Sequence, residues 1–351
     1  MKILHAADLH LGTPFTGRSE ESVRTLKKAL LDVPQKIVQL CKAHNCDLLL
    51  LSGDLFDGVA DAESLAALKS ALAQTDVPTF ISPGNHDFCN SDSPWLRETW
   101  PKHVHIFTKP AMESIALPEL DCRIYGAGFT SMDCPSLLDH FRAAGSETYH
   151  IAVLHGDPLQ KNAPYNPITQ AQVANSGLHY LALGHIHKAG QFLSGSTLCA
   201  WPGCPMGRGN DETGEKGVYL VTVADTVQAE FLPLDVPRFY DLETEVFSTP
   251  AEALQAVLPP VGNEDFYRIT LTGEAEPFNI TALQLPQFPN LELRDRTVPP
   301  ADLWSVIGED SLEGMYFSLL HDALDGEDQE TALLAAKISR RLLDGREVAL
   351  P

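Results

Sequence analysis

The stretch that decides the predicted fold is Ile81-Ser82-Pro83-Gly84-Asn85-His86-Asp87. It starts at the end of an apolar run, Thr79-Phe80-Ile81, which predicts a short buried strand, and Pro83-Gly84 breaks that strand into a turn. Directly after the turn come an amide, an imidazole and a carboxylate, three side chains that can bind a metal ion or exchange a proton. In α/β proteins, ligands collect beyond the carboxyl ends of the strands. A site at this position therefore requires that other strands end in the same way.

Four more apolar runs in the chain end in acidic or histidine side chains. These residues are Asp8, His10, Asp54, His155, His185 and His187. Side chains alternate along a strand, so Asp8 and His10 lie on the same side of the extended chain and can face one ion. Helical spacing over residues 22–44 and 61–74 separates the first three of the five strands, although Pro34 should kink or split the first helix. This order of elements predicts an α/β fold, a sheet with helices packed on it.

The collected side chains suggest a site for two metal ions. Imidazole and carboxylate ligands together suit Mn, Fe, Zn and similar divalent ions. Seven ligands, namely Asn85 and the six residues of the other four strand ends, are too many for one ion but fit two ions that share one carboxylate. Asp54, which stands alone at its strand end, is the natural shared ligand. Two such ions about 3.5–4 Å apart favour in-line phosphoryl displacement, and each lowers the pKa of a bound water.

The composition is typical of a soluble globular protein. The length of 351 residues predicts roughly two domains of about 150 residues each. No apolar run approaches the ~20 residues of a membrane span, and the chain reaches Asp8 too early for a signal peptide. The seven cysteines are scattered without a C-x-x-C pair, which is typical of reduced thiols and argues against a disulfide scaffold or a structural zinc site. We therefore expect a cytoplasmic protein without a membrane partner.

The charge of the chain is acidic and unevenly distributed. The formal net charge is −22, and residues 1–110 carry 11 basic against 13 acidic side chains, whereas residues 236–351 carry 8 against 21. A chain this acidic gains little from the release of phosphate counterions. If nucleic acid is the substrate, a partner or the nearly neutral first third must supply the attraction. The basic residues considered there are Arg18, Arg24, Lys27, Lys28, Arg97 and Lys102.

A domain boundary is predicted within residues 233–237, where prolines follow the last strand of the first part. Strands around a helix over residues 236–300 predict a small α+β domain. Two amphipathic helices predict a helical tail over residues 301–351. The tail helices either close the core of the small domain or dock on a partner, and the sequence favours neither.

The motifs, taken in order, resemble those of a known family. The set D-x-H, G-D, G-N-H-D, H-G and G-H-x-H, each member after an apolar strand, resembles the calcineurin-like metallophosphoesterases. The longer forms Asp-Leu-His-Leu-Gly, Gly-Asp-Leu-Phe-Asp and Gly-His-Ile-His are similar to the SbcD-type DNA repair nucleases, and most similar to their YhaO-like bacterial branch. The resemblance covers residues 1–235, the metallophosphoesterase (nuclease) domain. It implies a two-sheet sandwich flanked by helices, followed by a small α+β capping domain and the helical tail.

The resemblance also implies a role for each site residue. It assigns Asp8, His10 and His187 to one ion, Asn85, His155 and His185 to the other, and Asp54 to both. His86 would not bind metal but would protonate the leaving oxygen or stabilise the charge that develops on the phosphorane oxygens. Asp87 would orient an imidazole. Some relatives carry a second histidine where this chain has Asp57, so Asp57 receives no catalytic role.

The function implied by the resemblance is a metal-dependent DNA nuclease, an exonuclease or endonuclease that acts in DNA repair. It implies two divalent ions, Mn first, with Fe, Zn, Mg, Ni or Co as alternatives. The implied partners are DNA and an SbcC-type P-loop ATPase, because the chain has no Walker sequence of its own. The helical faces at residues 22–44 and 61–74 form a homodimer bundle in the family, and simple packing on the sheet is the equal alternative.

Other interpretations of the same residues stay open. The site would also suit a phosphatase or a small-molecule phosphodiesterase, although neither needs the added domain and tail. A non-catalytic interaction subunit of an ATPase complex is a third class, but the presence of all eight site residues argues against it. Singly, Asp8 and Asp54 could be helix N-caps. Arg208 could contact a phosphate or, in keeping with its loop, be solvated, and Trp95 and Trp100 could stack on bases or pack in the core.

Overall fold

The computed structural model describes residues 1–262, 264–283, 285–300, 302–326 and 328–345. These residues form two compact units. Unit 1 consists of Met1–Tyr240 with Glu264–Phe266, and unit 2 consists of the other described residues. No helix in the described ranges is both long and apolar enough to cross a membrane.

The described residues form fifteen strands and seven α-helices. The strands are β1 (Lys2–Ala6), β2 (Leu48–Leu51), β3 (Thr79–Ile81), β4 (Val104–Ile106), β5 (Glu113–Leu117), β6 (Cys122–Gly126), β7 (Tyr149–His155), β8 (Tyr180–Gly184), β9 (Gly190–Ser194), β10 (Thr197–Trp201), β11 (Gly217–Val223), β12 (Val227–Pro233), β13 (Phe239–Val246), β14 (Phe266–Gly273) and β15 (Leu291–Asp295). The helices are α1 (Glu20–Ala43), α2 (Ala62–Leu72), α3 (Pro94–Arg97), α4 (Gln170–Asn175), α5 (Pro250–Val257), α6 (Leu312–Asp322) and α7 (Gln329–Leu343).

Unit 1 is a sandwich of two mixed sheets with six strands each. The first sheet has the order β12-β11-β1-β2-β3-β4, in which β1 to β4 are parallel. The second has the order β5-β6-β7-β8-β10-β9, in which β6, β7, β8 and β10 are parallel and the two edge strands are antiparallel to their neighbours. The predicted two-sheet fold flanked by helices is confirmed. Parallel neighbours bring their carboxyl ends to one edge of a sheet, and this arrangement positions the site.

The central strands of unit 1 are apolar throughout because both of their faces are covered. In β2, Leu48 and Leu50 pack between the two sheets, whereas Leu49 and Leu51 pack on the side of helices α1 and α2. A strand that is covered on both faces appears in the sequence as a continuous apolar run rather than as an alternation. The leucine run that predicted this strand therefore serves two separate cores.

The helices that follow β1 and β2 are capped by residues other than the two predicted site aspartates. Ser19 Oγ accepts a hydrogen bond from the Ser22 N–H at the start of α1, and Asp61 Oδ1 accepts one from the Ser64 N–H at the start of α2. The interpretation of Asp8 and Asp54 as N-caps is therefore wrong, and their carboxylates remain available for the site.

Helix α1 continues without a break through Pro34, so the expectation that the proline splits this helix is wrong. Proline removes one backbone hydrogen bond at its own nitrogen. Leu30, Val33 and Ile37, on the turns around it, are all buried in the core beneath the helix. Tertiary packing of this apolar face outweighs the local loss, as it commonly does for helices in proteins.

Unit 2 contains the three-stranded sheet β13-β14-β15, on which α5 packs its buried Leu254. Helices α6 and α7 follow, and Phe317 of α6 and Ala336 of α7 are buried in a small cluster of their own. These elements are the small α+β part and the helical tail expected from the sequence. Residues 301, 327 and 346–351 of the predicted tail lie outside the described residues.

A buried histidine joins the two sheets of unit 1. His5 of β1 is fully buried, and its two ring nitrogens lie 2.7 Å from the Tyr180 hydroxyl of the second sheet and 2.7 Å from Ser52 Oγ. Burial lowers the pKa of His5 from 6.5 to about 3. The folded protein therefore keeps this ring neutral at pH values at which the unfolded chain protonates it.

We expect the His5→Gln variant to lose less stability in acid than the wild type. Below pH 6.5 the unfolded state binds a proton that folded His5 does not bind, so the free energy of unfolding falls as the pH drops from 6.5 towards 3. Between pH 7 and pH 5 this contribution amounts to roughly 2 kcal/mol. Urea denaturation gives the free energy of unfolding of wild type and variant at both pH values. The contribution of His5 is the amount by which the difference between the two proteins changes from pH 7 to pH 5. Tyr180→Phe, which keeps the histidine, should retain the wild-type pH dependence. Equal losses in wild type and His5→Gln would exclude His5 as the cause.

Candidate metal centre

The five predicted strand ends meet at one edge of the sandwich in unit 1. Strands β1, β2 and β3 are parallel neighbours in the first sheet, and β7 and β8 are parallel neighbours in the second. Two hydrogen bonds connect these edges: His155 Nδ1 lies 2.9 Å from the Ser52 carbonyl oxygen, and the His185 N–H donates to Asp8 Oδ1 at 2.9 Å. The structure therefore brings together all eight predicted site residues.

The first group of side chains is formed by Asp8, His10 and His187. Each offers an atom of ligand type, and these atoms lie within 4.8 Å of one another. The Nε2 atoms of His10 and His187 are 3.1 Å apart. Asp8 and His10 are completely buried. A carboxylate and two imidazoles at this spacing could hold one divalent ion.

The second group is formed by Asn85, His155 and His185. Asn85 Oδ1 lies 2.9 Å from His155 Nε2 and 3.3 Å from His185 Nδ1. The amide oxygen, from the loop after β3, thus faces two imidazoles from the ends of β7 and β8. This arrangement could hold a second ion beside the first.

Asp54 lies between the two groups. Its Oδ2 atom is 3.9 Å from His10 Nε2 in the first group and 3.3 Å from His155 Nε2 in the second. Asp54 is only 1% exposed. Burial alone would raise the pKa of this carboxyl, but the neighbouring imidazoles of His155 and His10 outweigh burial and hold the pKa well below its usual range. A carboxylate between two imidazole groups has the position that a ligand shared by two ions requires.

Four of the site residues have a left-handed backbone conformation. The φ angle is +53° at Asp8, +47° at His10, +51° at Asp54 and +97° at His185. Residues other than glycine rarely adopt positive φ, at a cost on the order of 1–3 kcal/mol each, and such residues cluster at functional sites. Hydrogen bonds hold them in place, including Asp8 N–H to the Gly53 carbonyl at 3.0 Å and His10 N–H to the Asp54 carbonyl at 2.9 Å. The strained backbone therefore indicates a functional site, and this evidence does not depend on the types of the side chains.

Two glycines allow the strand ends to approach so closely. A Cβ atom on Gly84 would lie 2.3 Å from Asp54 Oδ1, and one on Gly53 would lie 2.6 Å from His155 Nδ1. Gly53 also has a φ of +87°. A larger residue at either position would displace a site side chain, so the glycines of the G-D and G-N-H-D motifs are needed for packing.

His86 and Asp57 form a pair at the solvent side of the site. His86 Nδ1 lies 3.0 Å from Asp57 Oδ1, and the His86 side chain is 41% exposed. The hydrogen bond to Asp57 raises the pKa of His86. The imidazoles of His10 and His86 in turn hold the pKa of Asp57 well below its usual range. Asp57 had no role in the sequence interpretation, but it fixes the ring orientation of the one predicted site histidine that is exposed.

Asp87 does not orient an imidazole, so the predicted role is wrong in this respect. Its Oδ1 accepts hydrogen bonds from the backbone N–H groups of Gly84 at 2.7 Å and Asp54 at 3.2 Å, and its Oδ2 accepts one from Leu55 at 2.8 Å. Burial, together with the charge of Asp54, raises the pKa of Asp87 to about 7. Asp87 therefore joins the backbones of two neighbouring strand ends and supports the turn that presents Asn85.

Glu212 is a site residue that the sequence interpretation missed. Its Oε1 lies 2.7 Å from His187 Nδ1 and accepts a hydrogen bond from Arg208 Nη2 at 2.6 Å. Burial alone would raise the pKa of Glu212, but the hydrogen bonds from His187 and Arg208 hold it well below its usual range. Such a carboxylate commonly orients a metal-binding histidine. The interpretation of Arg208 as a solvated loop arginine is wrong, because its side chain is 20% exposed and paired with Glu212.

The side chains present fit two divalent ions. Imidazole nitrogens, carboxylate oxygens and an amide oxygen converge in overlapping groups. His10 Nδ1 is buried without a hydrogen-bond partner among the described residues, since Asp57 Oδ1 is 3.6 Å away. Burial lowers the pKa of His10, and it lowers that of His185 to about 4. Burial thus favours the neutral, metal-binding form of these two rings. Burial alone would also lower the pKa of His155, but the carboxylates of Asp54 and Asp8 outweigh it and raise that pKa to about 9.

Comparisons with known proteins identify the class. The family model described as calcineurin-like phosphoesterase matches residues 1–189. The chain therefore belongs to the calcineurin-like phosphoesterases, a family of metal-binding phosphoester hydrolases, and this confirms the resemblance drawn from the five motifs.

Individual relatives refine this placement. The chain is 30% identical over 243 residues to YhaO of Bacillus subtilis (strain 168), described as an uncharacterized metallophosphoesterase; the match covers 64% of this chain and 58% of YhaO. It is 26% identical over 275 residues to the SbcD component of the nuclease SbcCD from the same organism, covering 66% of this chain and 67% of that one. A dimetal phosphatase from Danio rerio is 13% identical, with a TM-score of 0.45, over 66% of this chain and 96% of that one. The match thus spans little more than half of the length of YhaO.

Proposed function

We propose that this chain is a DNA nuclease that requires two metal ions and hydrolyses phosphodiester bonds. One observation carries the proposal: five strand ends of two sheets bring seven side chains of ligand type, and one exposed histidine, to a single point in unit 1. In the proposal Asp8, His10 and His187 hold one ion, Asn85, His155 and His185 hold the other, and Asp54 is shared. Mn is the proposed metal, because carboxylate and imidazole ligands together suit it.

The residues of the chain would act around these ions as follows. Two bound ions supply an activated water and stabilise the charge on the transferring phosphoryl group. Asp57 accepts a hydrogen bond from His86 Nδ1 at 3.0 Å. The second ring nitrogen of His86, Nε2, therefore points away from Asp57. We propose that this second nitrogen donates a proton to the leaving oxygen, a step that a positioned histidine performs well. Glu212 holds the His187 ring in place through its contact with His187 Nδ1.

The proposal of DNA as substrate is supported by the likeness to a nuclease component over two thirds of the chain. The net charge of −22 works against tight binding of a polyanion by the chain alone. A second subunit with a basic surface would resolve this conflict. We therefore propose an SbcC-type P-loop ATPase as partner and DNA repair as the setting.

The tail supports a docking role in this proposal. Three apolar side chains of α6 are exposed: Leu312 by 85%, Leu319 by 70% and Met315 by 63%. Leu312, Met315 and Leu319 follow the three- and four-residue spacing of one helix face, and exposed apolar surface of this kind is typical of interaction sites. A coiled coil of the ATPase is the proposed occupant. Co-elution of the purified partner with the wild type, but not with Leu319→Asp, checks the idea.

Three further expectations remain proposals. The division into residues 1–235, 236–300 and 301–351 is one of them, and limited proteolysis tests it. A homodimer is the second, although α1 already buries its apolar face in the core of unit 1; light scattering tests this. The third is a cytoplasmic location, which is supported by seven cysteines that are all free and buried.

The decisive experiment compares three substrates with purified protein, each with Mn and with chelator. They are labelled double-stranded DNA, a chromogenic phosphodiester and a chromogenic phosphomonoester. Metal-dependent cleavage of the DNA is the expected result. Turnover of the monoester with intact DNA would favour a phosphatase instead. No turnover of any substrate, even with the ATPase added, would favour a non-catalytic subunit.

A further inference from the structure

A cavity of about 350 Å³ opens beside His86 in unit 1. Its walls come from the loop after β2, from the start of α2 and from residues 86–98. This volume is within the range of small-ligand sites, roughly 300–1,000 Å³. The proposed hydrolysis uses only the histidine at its edge, so the rest of the cavity has no assigned role.

The walls of the cavity are largely apolar. Val59, Leu65, Phe88 and Pro94 all line it. Val59 is 97% exposed. Contact with a flat apolar group would cover this valine and the face of Phe88.

Three charged side chains that line the cavity are already in ion pairs: Asp92, Arg97 and Glu98. Arg97 forms an ion pair with Asp92, and its Nε donates to the Ser91 carbonyl at 2.7 Å. Glu98 forms an ion pair with Lys69 at 2.6 Å. The arginine that lines the cavity is thus neutralised, which argues against a second phosphate as the occupant and in favour of an uncharged group.

One buried hydroxyl at the cavity has no hydrogen-bond partner in the part of the chain that the structure describes. Ser93 lines the cavity and is 6% exposed, and its Oγ makes no hydrogen bond within the described residues. A buried polar atom in this state calls for an explanation, and a hydrogen bond to the polar edge of a ligand, formed once the Ser93 side chain rotates into the cavity, would provide one. The segment is held firmly, since Trp95 Nε1 donates to the Asp87 carbonyl at 2.6 Å and the Trp95 ring stacks on Trp100. Trp95 is buried, so it supports this wall from the core instead of facing a base.

We propose that this cavity binds the nucleobase of one of the two nucleosides joined to the scissile phosphate. A nucleobase is flat, uncharged and apolar on its faces, and its edge forms hydrogen bonds, so it matches the apolar walls, the paired charges and the free hydroxyl. His86 borders both the metal centre and the cavity, which places the base next to the phosphate under attack. The inference rests on the proposed function, because it assigns the phosphate of the same substrate to the metal centre.

The first test uses DNA dinucleotides that carry both bases, only the 5′ base, only the 3′ base, or neither. Stacking of a base on an aromatic side chain stabilises the bound nucleotide. Removal of one particular base should therefore lower kcat/KM by roughly 5- to 150-fold, and removal of the other should have little effect. The ratio between base-bearing and base-free substrates should fall in Phe88→Ala, Ser93→Ala and Val59→Ala. Leu193→Ala, which alters another exposed aliphatic residue, on β9, should keep the wild-type ratio.

The second test does not depend on turnover. It measures the binding of deoxyadenosine to the metal-free chain by ligand-observed NMR. Binding that weakens in Phe88→Ala and Ser93→Ala supports the cavity even if no phosphodiester is cleaved, an outcome that would refute only the proposed function. Cleavage at rates independent of either base, with no binding of deoxyadenosine, would refute the cavity and leave the nuclease intact. Base dependence in the dinucleotides decides the matter if the free nucleoside binds too weakly to detect. Val59→Ala guards against misfolding, because Val59 is almost fully exposed.

Discussion

The Asp54→Ala variant should lose metal-dependent hydrolysis by on the order of 1,000-fold and bind fewer than two ions per chain. Asp54 Oδ2 lies near imidazoles of both groups, 3.9 Å from His10 Nε2 and 3.3 Å from His155 Nε2. In the proposed centre, removal of this carboxylate would take a ligand from both ions at once. Metal content can be measured by mass spectrometry, and Mn bound in a pair gives an exchange-coupled EPR spectrum that this variant should lack.

The matched control for this variant is Asp121→Ala. Asp121 precedes β6 and accepts hydrogen bonds from Thr148, just before β7, so it lies at the opposite end of the strands from the site. It should keep both the wild-type rate and the coupled spectrum. A coupled Mn spectrum in Asp54→Ala would refute the shared position of Asp54.

The His86→Ala variant should bind metal nearly as the wild type does, yet its turnover should fall by roughly 100- to 10,000-fold. The His86 side chain is 41% exposed and its pairing is with Asp57, so its loss should leave the buried ligands and the fold in place. The effect should appear in kcat at saturating substrate, with metal stoichiometry unchanged. This separation distinguishes a proton donor from a metal ligand.

A companion variant tests the positioning of His86. Asp57→Asn keeps the shape of the side chain but weakens its hydrogen bond to the imidazole, so it should reduce kcat less than His86→Ala does. Rates equal to wild type in His86→Ala would show that the assigned role is wrong. A loss of metal in that variant would show instead that His86 acts as a ligand, an alternative that its closeness to His10 and Asp54 makes worth testing.

The position of the site could be predicted from the sequence because its signals are local. An apolar run predicts a strand, a glycine predicts the turn after it, and the next side chain is then placed at the strand end. Three strand ends follow this pattern, at Gly53-Asp54, Gly84-Asn85 and Gly184-His185, and Asp8 and His155 follow their apolar runs without a glycine between. The five strand ends together were enough to predict that these side chains meet, although their metal-binding roles remain predictions. The two-sheet fold followed from the family resemblance more than from periodicity, which cannot tell which strands share a sheet.

The contacts around the site could not be predicted, because they depend on loops far apart in the chain. Glu212 reaches His187 from 25 positions away, and Asp57 reaches His86 from 29 positions away. Neither separation along the sequence is one that the repeat of a helix or a strand would bring into contact. Arg208 was misinterpreted for a different reason: its glycine-rich flanks suggest a solvated loop, although its partner Glu212 is only four residues away. The packing of that loop against the end of β8 is set by the tertiary structure alone.

Thermal stability and catalytic activity favour different residue types at four positions of the site. These are the residues with a left-handed backbone, Asp8, His10, Asp54 and His185. Glycine adopts these angles without steric cost, so at each position a glycine would relieve strain that the present side chain imposes. It would also delete a candidate ligand. Proteins selected only for survival at high temperature often trade activity for stability at such places. Selection for heat resistance would therefore favour glycine at these four positions, whereas selection for turnover would keep the present side chains.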